Sequence, residues 1–164
     1  MEPRGAATLT HLDEKGQPRM VDVGAKTVTR RTAHARAVVA FPADAARRLE
    51  AAGFATSKGP VFHTAIVAGV MAAKRTPELV PFCHPLALED CRIEIRMEGD
   101  EALIDCHVSL HARTGAEMEA MTGAAVAALT VYDMCKSLSK GIVIRDTRLL
   151  EKSGGKSGEW RATT

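Results

Sequence analysis

The sequence is poor in aromatic residues and nearly balanced in charge. Phe, Trp and Tyr make up 4% of the 164 residues, and 22 Lys and Arg stand against 20 Asp and Glu, for a net charge of +2. An RNA-recognition sheet needs exposed aromatic rings that stack on bases, and bulk electrostatic binding of nucleic acid needs a strongly basic protein. The composition therefore predicts no nucleic-acid partner and directs attention to local clusters of charge.

The sequence also lacks a long apolar run. No stretch reaches the roughly 20 apolar residues of a membrane-spanning helix, and the N-terminal segment has no apolar core typical of a signal peptide. We therefore expect a cytoplasmic protein with no membrane partner. The four cysteines form no CxxC pair, which in a reducing compartment predicts free, mostly buried thiols.

Composition predicts one domain with a flexible segment at each end. Residues 1–25 are rich in Gly, Pro and charge, which favours a flexible lead-in. Residues 26–164 are long enough for a single domain with a buried core. Its last segment, 151–164, begins EKSGGKSGEW and is predicted to be a mobile tail.

Hydrophobic periodicity predicts the first regular elements. Small apolar residues alternate at the end of the run 27–41, which indicates a strand. A short helix is expected to begin at Pro42 and to stop at Gly53, because proline suits the first turn of a helix and glycine its end. Apolar residues at helical spacing predict a second helix over 60–75.

The clearest local pattern is a hairpin over 91–110. Apolar and charged residues alternate on both sides of Gly99-Asp100. If these two residues form the loop, position 97 pairs with 102, 95 with 104 and 93 with 106, and every one of these facing pairs is apolar. The hairpin should therefore have one buried face and one wet face.

Two elements complete the chain: a long helix over 117–140, rich in Ala and Gly and apolar nearly all round, and a strand over 142–150. The order of strand, two helices, hairpin, helix and strand predicts an α+β fold, the ferredoxin-like βαββαβ arrangement with an additional helix. Its antiparallel sheet would carry the helices on one face. A fold of this kind does not define a function.

Polar clusters mark three places on this framework. Lys58 precedes the second helix, whose N-terminus favours anions, and His84 lies in the connecting loop FCHP. Asp133 and Lys136 lie three residues apart near the end of the long helix and so share a face. The ordinary alternatives are a surface histidine and a solvated ion pair, which contributes under about 1 kcal/mol.

Three further features have both a functional and an ordinary interpretation. Glu117 and Glu119 open the long helix, where carboxylates also complement the helix dipole. The tail KSGGKSG resembles a phosphate loop but lacks the first glycine of the Walker motif; it could close over an anion or be a disordered terminus. Cys106-His107 suggests zinc, yet neighbours on a strand point to opposite faces, which argues against one shared ion.

Five blocks, in order along nearly the whole chain, resemble the cyclic pyranopterin monophosphate synthase family of molybdenum cofactor biosynthesis. They are LTHLD (9–13), MVDVGAK (20–26), MAAKRTPELVPFCHPL (71–86), EMEAMTGAAVAALTVYDMCK (117–136) and KSGGKSG (152–158). Pro60 and His63 depart mildly from the family pattern, which affects the expected loop geometry after Lys58 but not the catalytic positions.

The resemblance implies a lyase. Such an enzyme receives (8S)-3′,8-cyclo-7,8-dihydroguanosine 5′-triphosphate from an upstream radical enzyme, releases pyrophosphate and yields cyclic pyranopterin monophosphate. It also implies a homohexamer, built as a trimer of dimers, with sites at the dimer interface.

Carried over residue by residue, the resemblance implies catalytic roles for Lys58, Asp133 and Lys136. The substrate-contacting positions that it implies are Phe82, Cys83, His84, Glu117, Met118, Glu119 and Lys152. Rebuilding a ring and closing a cyclic phosphate require proton transfers, and lysine binds phosphate or, where nearby cations lower its pKa, exchanges protons. No resident metal or cofactor is implied; magnesium is compatible with carboxylates near a triphosphate, but no motif demands it.

The length of the last helix gives an expectation that is independent of the family. Glu119 and Asp133 are separated by about 21 Å along a continuous helix. Either the substrate is long, or two subunits contribute opposite helix ends to a shared site. Two competing functions remain open: a non-catalytic ligand-binding regulator on the same scaffold, and a different phosphate lyase or nucleotide hydrolase.

Overall fold

The chain forms an antiparallel sheet packed against helices, and a computed structural model describes residues 15–163. The elements in chain order are β1 (Thr29–Ala40), α1 (Ala43–Ala51), β2 (Ala55–Thr56), β3 (Gly59–Pro60), α2 (Val61–Lys74), α3 (Thr76–Leu79), β4 (Asp90–Glu98), β5 (Glu101–Ala112), α4 (Glu117–Cys135), β6 (Val143–Ser153) and β7 (Trp160–Arg161). The block at 9–13 and the first part of the expected lead-in lie outside the described residues.

The main sheet has the order β4-β5-β1-β6-β7, and each neighbouring pair is antiparallel. Because β5 is antiparallel to both of its neighbours, β1 and β4 run in the same direction with β5 between them. This is the split βαβ arrangement, so the predicted α+β, ferredoxin-like fold is confirmed. The short strands β2 and β3 form a separate hairpin.

The predicted register of the β4–β5 hairpin is confirmed. Met97 faces Ala102, and two residues further along each strand Ile95 faces Ile104. Gly99 has φ +58°, a conformation that glycine adopts without the steric cost that a Cβ brings. The core face of β5 is buried, including Cys106.

The predicted helices and long strands all occur, with differences at their ends. Helix α4 ends at Cys135 rather than at 140. A turn follows, in which the Leu138 N–H donates to the carbonyl of Cys135. Strand β6 continues to Ser153, three residues beyond the predicted end, because its last residues pair with β1. The short elements α3, β2, β3 and β7 were not predicted.

Helix α4 is the centre of the structure. It contacts β1, β5 and β6 of the sheet and also helix α2. The buried residues of α4 are mostly small, among them Ala120, Gly123, Ala124 and Ala127, so the helix can lie close to both the sheet and α2. The core thus fixes the direction of α4, and its two ends carry the polar clusters described below.

Candidate active site

The C-terminal end of α4 gathers three of the predicted residues. Lys58 Nζ lies 2.6 Å from Asp133 Oδ2, and Lys136 Nζ lies 2.7 Å from Asp133 Oδ1. Each carboxylate oxygen therefore accepts from one ammonium group. The side chains are about half exposed, so a ligand could reach all three.

The β2–β3 hairpin brings Lys58 to this place. The hairpin turn consists of Ser57 and Lys58, and the Lys58 N–H donates to the hydroxyl of Thr56 at 3.3 Å. Lys58 Nζ also donates to the main-chain carbonyl of Asp133 at 3.1 Å. The ammonium thus satisfies a carbonyl in the last turn of α4, where the helix dipole favours a cation.

The two lysines determine the ionisation of Asp133. Hydrogen bonds from Lys136 and then from Lys58 lower the pKa of Asp133 to about 2. In turn, the hydrogen bond to Asp133 raises the pKa of Lys136 above its usual value. The sequence predicts that neighbouring cations lower the pKa of a catalytic lysine. For Lys136 this prediction is wrong, because the carboxylate of Asp133 lies between the two ammonium groups.

The N-terminal end of α4 borders a cavity of about 280 Å³. It is lined by six of the predicted substrate-contacting residues: Phe82, Cys83, His84, Glu117, Met118 and Glu119. Phe82 and Met118 supply exposed apolar surface, while Glu119 is only 3% exposed. A cavity with apolar walls and a few polar groups is typical of a site for a small organic molecule.

Contacts and burial influence which polar groups of this cavity carry a proton. His84 Nε2 lies 2.8 Å from the carbonyl of Val21, which can only accept, so Nε2 carries a hydrogen. Burial raises the pKa of Glu119 to about 7, and the charge of Glu117 adds to the effect. Burial, followed by the charge of Glu119, also raises the pKa of Cys83, so its thiol stays protonated near neutral pH.

Lys152 lies next to this cavity. Its Nζ is 2.8 Å from Glu117 Oε1, an ion pair that joins β6 to the start of α4. A second cavity, of about 380 Å³, is lined by both Glu117 and Lys152. The two cavities share four lining residues: Lys26, Thr114, Gly115 and Glu117.

The structure thus brings the ten predicted residues together in two groups. Lys58, Asp133 and Lys136 lie at one end of α4, and the other seven lie around its first turn and the adjoining strand end. Helix α4 is continuous from Glu117 to Cys135, and at its 1.5 Å rise per residue Glu119 in one group and Asp133 in the other are separated by about 21 Å. Within one copy of the chain the two groups do not meet.

Comparison with known proteins identifies the family to which the chain belongs. A family model described as the MoaC family matches residues 20–155. The chain belongs to the MoaC family. A cyclic pyranopterin monophosphate synthase of Xanthomonas oryzae pv. oryzae is 55% identical to it over 152 residues, which cover 92% of each chain.

Two other relatives of this MoaC family member are informative. A cyclic pyranopterin monophosphate synthase of Xanthomonas campestris pv. campestris is 56% identical over 152 residues, again 92% of each chain. Molybdenum cofactor biosynthesis protein 1 of Dictyostelium discoideum is 44% identical over an alignment of 173 residues that covers 94% of this chain but 28% of that longer protein. The family domain is therefore part of a larger polypeptide in that relative.

Sequence reasoning missed several residues that line the cavities of this MoaC family member. Val21, Val23 and Lys26 border the cavities although they lie in or next to the expected lead-in. All three belong to the block MVDVGAK (20–26), which carries part of the family resemblance. Arg31 and Arg113 gave no signal, because their proximity depends on the pairing of β1 with β5.

Among residues 15–163, no group of three or more His, Cys, Asp or Glu side chains is placed to hold a metal ion. Cys106 is buried in the core, whereas its neighbour His107 lies on the other face of the sheet, stacked on His34 with 3.9 Å between ring centroids. In the same part of the chain, no helix is both long enough and apolar enough to cross a bilayer.

Proposed function

We propose that this chain is a cyclic pyranopterin monophosphate synthase. It would convert (8S)-3′,8-cyclo-7,8-dihydroguanosine 5′-triphosphate to cyclic pyranopterin monophosphate and pyrophosphate, as a phosphorus–oxygen lyase. The observation that carries the proposal is the meeting of two lysines on the Asp133 carboxylate in a chain that is over half identical to proteins of that name. Such a cluster supplies mobile protons and positive charge together, as the reaction requires.

The ionisation of the cluster suggests a role for each member. Asp133, with a pKa of about 2, remains a carboxylate and holds the two ammonium groups at a fixed separation. Lys136, with its raised pKa, is protonated and is suited to act as a general acid or to bind an anionic oxygen. Lys58 takes the second acid–base role, and it is attached to a short hairpin rather than to α4.

The cavity at the other end of α4 is suited to the fused ring of the substrate. Phe82 and Met118 offer apolar surface to the faces of a planar ring. Glu119 and His84 offer hydrogen-bonding groups for its edge. Because the Glu119 carboxyl has a pKa of about 7, it can either donate or accept at neutral pH.

The reaction needs both ends of α4, which supports an assembly of at least two copies with shared sites. An apolar surface is available for such an assembly: Val67 and Met71 on α2 are 59% and 47% exposed, and Leu129 on α4 is 58% exposed. Exposed apolar residues of this kind are typical of subunit interfaces. The proposed assembly is a homohexamer, a trimer of dimers, with each site formed between two copies.

The proposal also covers the compartment in which the enzyme acts and the cofactors that it needs. The four cysteines are unpaired, as suits the reducing cytoplasm, where an upstream radical enzyme would supply the cyclised nucleotide. The reaction would need no resident cofactor, and any magnesium would enter with the polyphosphate of the substrate. Activity that survives treatment with a chelator and is stimulated by added magnesium would agree with this arrangement.

Release of pyrophosphate from two nucleotides tests the proposed function. Purified protein should release pyrophosphate from the cyclised dihydro-GTP and none from GTP. The Asp133→Asn variant serves as the inactive control. Pyrophosphate or phosphate released from GTP would instead indicate a hydrolase, and binding of the cyclised nucleotide without release would indicate a regulator.

A further inference from the structure

Two cysteine side chains meet in the β4–β5 hairpin, outside the site described above. Cys91 faces Val108 across the ladder and Cys106 faces Ile93, which makes the two cysteines diagonal neighbours on the core face of the sheet. Their thiols are joined by a hydrogen bond. The Cys106 sulfur packs against Gly123, inside α4, rather than at either of the helix ends that carry the candidate site.

The two thiols differ in their access to solvent. Cys106 has 0% of its surface exposed, whereas Cys91 is partly exposed in β4, the edge strand of the main sheet. A small polar solute therefore reaches Cys91 directly, while the sheet and α4 cover Cys106. In this pair only Cys91 is placed to react first with an external reagent.

Hydrogen bonding makes Cys91 the more acidic of the two thiols. The hydrogen bond from Cys106 lowers the pKa of Cys91 below its usual value, and the positive charge of Lys74 acts in the same direction. Burial and the charge of Asp90 oppose this effect but are outweighed. The same hydrogen bond, followed by burial, raises the pKa of Cys106. A partly exposed thiol with a lowered pKa beside a second cysteine is typical of thiols that react reversibly with oxidants.

We propose that Cys91 is a site of reversible oxidation by hydroperoxides and that Cys106 resolves the oxidised form by closing a disulfide between β4 and β5. The Cys91 thiolate attacks one oxygen of hydrogen peroxide, the O–O bond breaks, and the departing hydroxide takes up the proton that Cys91 released. The product is a sulfenic acid on Cys91. The Cys106 sulfur then attacks the Cys91 sulfur, the S–S bond forms, and the sulfenic hydroxyl leaves with the Cys106 proton as water. The two sulfurs together lose two electrons, which the peroxide gains.

The positions of the two residues predict a disulfide that is easily reduced again. Diagonal neighbours on antiparallel strands have Cα atoms about 7 to 8 Å apart, slightly beyond the span of about 4.4 to 6.8 Å of an ordinary disulfide. The bond can therefore close only when the strands shift, and strained disulfides are readily reduced by cellular thiols. The shift also draws the Cys106 sulfur away from Gly123, so the packing of α4 on β5 should loosen while the bond is closed.

Mass spectrometry of the peroxide-treated protein tests the proposal. The wild type is treated with hydrogen peroxide, and the remaining thiols are blocked with N-ethylmaleimide. Digestion with trypsin and with a protease that cleaves after glutamate then separates the cysteines, because Glu89 lies between Cys83 and Cys91 and Arg92 lies between Cys91 and Cys106. We expect two peptides linked through Cys91 and Cys106, from a chain that migrates as a monomer in a non-reducing gel. The link should disappear after treatment with dithiothreitol.

The chain offers its own control for the reactivity of Cys91. Cys135 is fully buried, and burial raises its pKa to about 11. Cys91 should therefore lose its free thiol at least about tenfold faster than Cys135.

Two variants separate the roles of the pair. In Cys106→Ala the sulfenic acid on Cys91 should persist and be trapped by dimedone, because its resolving partner is gone. In Cys91→Ser, Cys106 should stay reduced under the same peroxide treatment. Since Cys91 is partly exposed, Cys91→Ser provides the decisive measurement even if Cys106→Ala does not fold.

Amide hydrogen exchange measures the consequence for α4. Exchange over residues 120–127 should be several-fold faster in the oxidised wild type than in the reduced protein, should return to its first value after dithiothreitol, and should not respond to peroxide in Cys91→Ser. No link in the wild type, a link between two chains, or oxidation of Cys106 at the wild-type rate in Cys91→Ser would overturn the assignment of the pair. Unchanged exchange in the linked protein would overturn its effect on α4. None of these measurements requires turnover of a nucleotide, so their outcome is independent of the proposed function.

Discussion

Lys58 Nζ lies 2.6 Å from the carboxylate of Asp133, although 75 positions separate the two residues in the chain. The contact joins a two-residue turn on the β2–β3 hairpin to the last turn of α4. In the described part of the chain, Asp133 forms one other ion pair, with Lys136. A carboxylate held between two ammonium groups at half-exposed positions contributes little to stability, which favours a chemical role.

Replacing Asp133 by Asn should therefore impair catalysis more than folding. The amide keeps the shape of the side chain but cannot hold two ammonium groups by charge, so we expect kcat to fall about 10² to 10⁴-fold, the usual contribution of positioned proton-transfer groups. Pyrophosphate release under saturating nucleotide is the measurement. Asp44→Asn, in an exposed α1 ion pair with Arg47, is the matched control. Near-normal kcat in Asp133→Asn would contradict the role.

Replacing Glu119 by Gln should flatten the pH dependence of stability. Burial raises its pKa to about 7 in the folded state, so between pH 4.5 and 7 the native protein binds a proton that the unfolded chain has released. The free energy of unfolding should therefore fall as pH rises through this window, by up to about 3 kcal/mol, and level off above it.

Urea unfolding of the wild type and of Glu119→Gln at pH 5, 6, 7 and 8 measures this effect. The difference between the two proteins isolates Glu119 from the other titrating groups. Glu50→Gln, at an exposed position on α1, should follow the wild type. A constant difference between the wild type and Glu119→Gln across the series would show that Glu119 has an ordinary pKa.

Replacing Asp105 by Ala should destabilise the fold. This buried carboxylate lies on the sheet face away from α4 and accepts from Arg36 at 2.8 and 2.9 Å, from Arg96 at 2.6 Å and from His34 at 2.7 Å. Without it, these groups have no common anion, and we expect a loss of about 3 kcal/mol in the free energy of unfolding. Urea unfolding at pH 7 measures it, with Asp44→Ala as the exposed control.

The same carboxylate predicts an acid-sensitive contribution to stability. Burial alone would raise the pKa of Asp105, but hydrogen bonds from Arg36, His34 and Arg96 outweigh it and lower the pKa to about 2. A lowered pKa stabilises the fold above pH 4, and this stabilisation is lost as pH falls toward 2. The difference in stability between the wild type and Asp105→Ala should shrink over that range; a difference that does not change with pH would contradict the ionic role.

Replacing Gly123 by Ala should also destabilise the protein, although in an exposed helix the same change is favourable by about 1 kcal/mol. A Cβ at Gly123 would lie 2.7 Å from Cys106 Sγ and 3.3 Å from the carbonyl of Gly69 on α2. Overpacking of this kind costs about 1 to 3 kcal/mol. Adding Cys106→Ala should recover part of the loss, and a double variant whose two effects simply add would contradict the steric explanation.

Local patterns predicted most of this fold, because each pattern involves residues that are close together in the sequence. The alternation around Gly99 fixes the β4–β5 register, since a slip by one residue would move Ile95 and Ile104 from the core to the opposite face of the sheet. That face was expected to be wet, which is wrong for part of β5, because Leu103 and Asp105 are buried there. By contrast, β6 extends to Ser153 through pairing with β1, where the Thr32 and Ser153 hydroxyls lie 2.7 Å apart. That pairing connects residues over a hundred positions apart and leaves no periodic signal.

The candidate site was predictable only in part for the same reason. Asp133 and Lys136 share a helix face three residues apart, so their contact follows from helical spacing. The contact with Lys58 and the approach of Arg31 to Arg113 depend on tertiary packing. The resemblance to a family supplied Lys58 but not Arg31, whose place in the lining of the 380 Å³ cavity therefore emerged only from the structure.

Mixing of variants tests whether two copies share each site. Lys58→Ala removes a group at the C-terminal end of α4, and Lys152→Ala removes one at the N-terminal end. If a site takes opposite ends from two copies, a hybrid dimer of these inactive variants contains one site with both defects and one with neither. Random pairing makes about half of the dimers hybrids, so co-expressed variants should recover about a quarter of wild-type turnover.

The matched control pairs two defects at the same end. A hybrid of Lys58→Ala with Lys136→Ala places one defect in each site, because both residues contact the same Asp133 carboxylate. This mixture should therefore stay inactive while the first mixture recovers. Recovery in neither mixture would mean that one copy supplies the whole site, and α4 would then require a substrate that extends about 21 Å along it. Because the cyclised nucleotide carries its phosphates on a single ribose, it is too compact for that span, so recovery in the first mixture alone is the expected result.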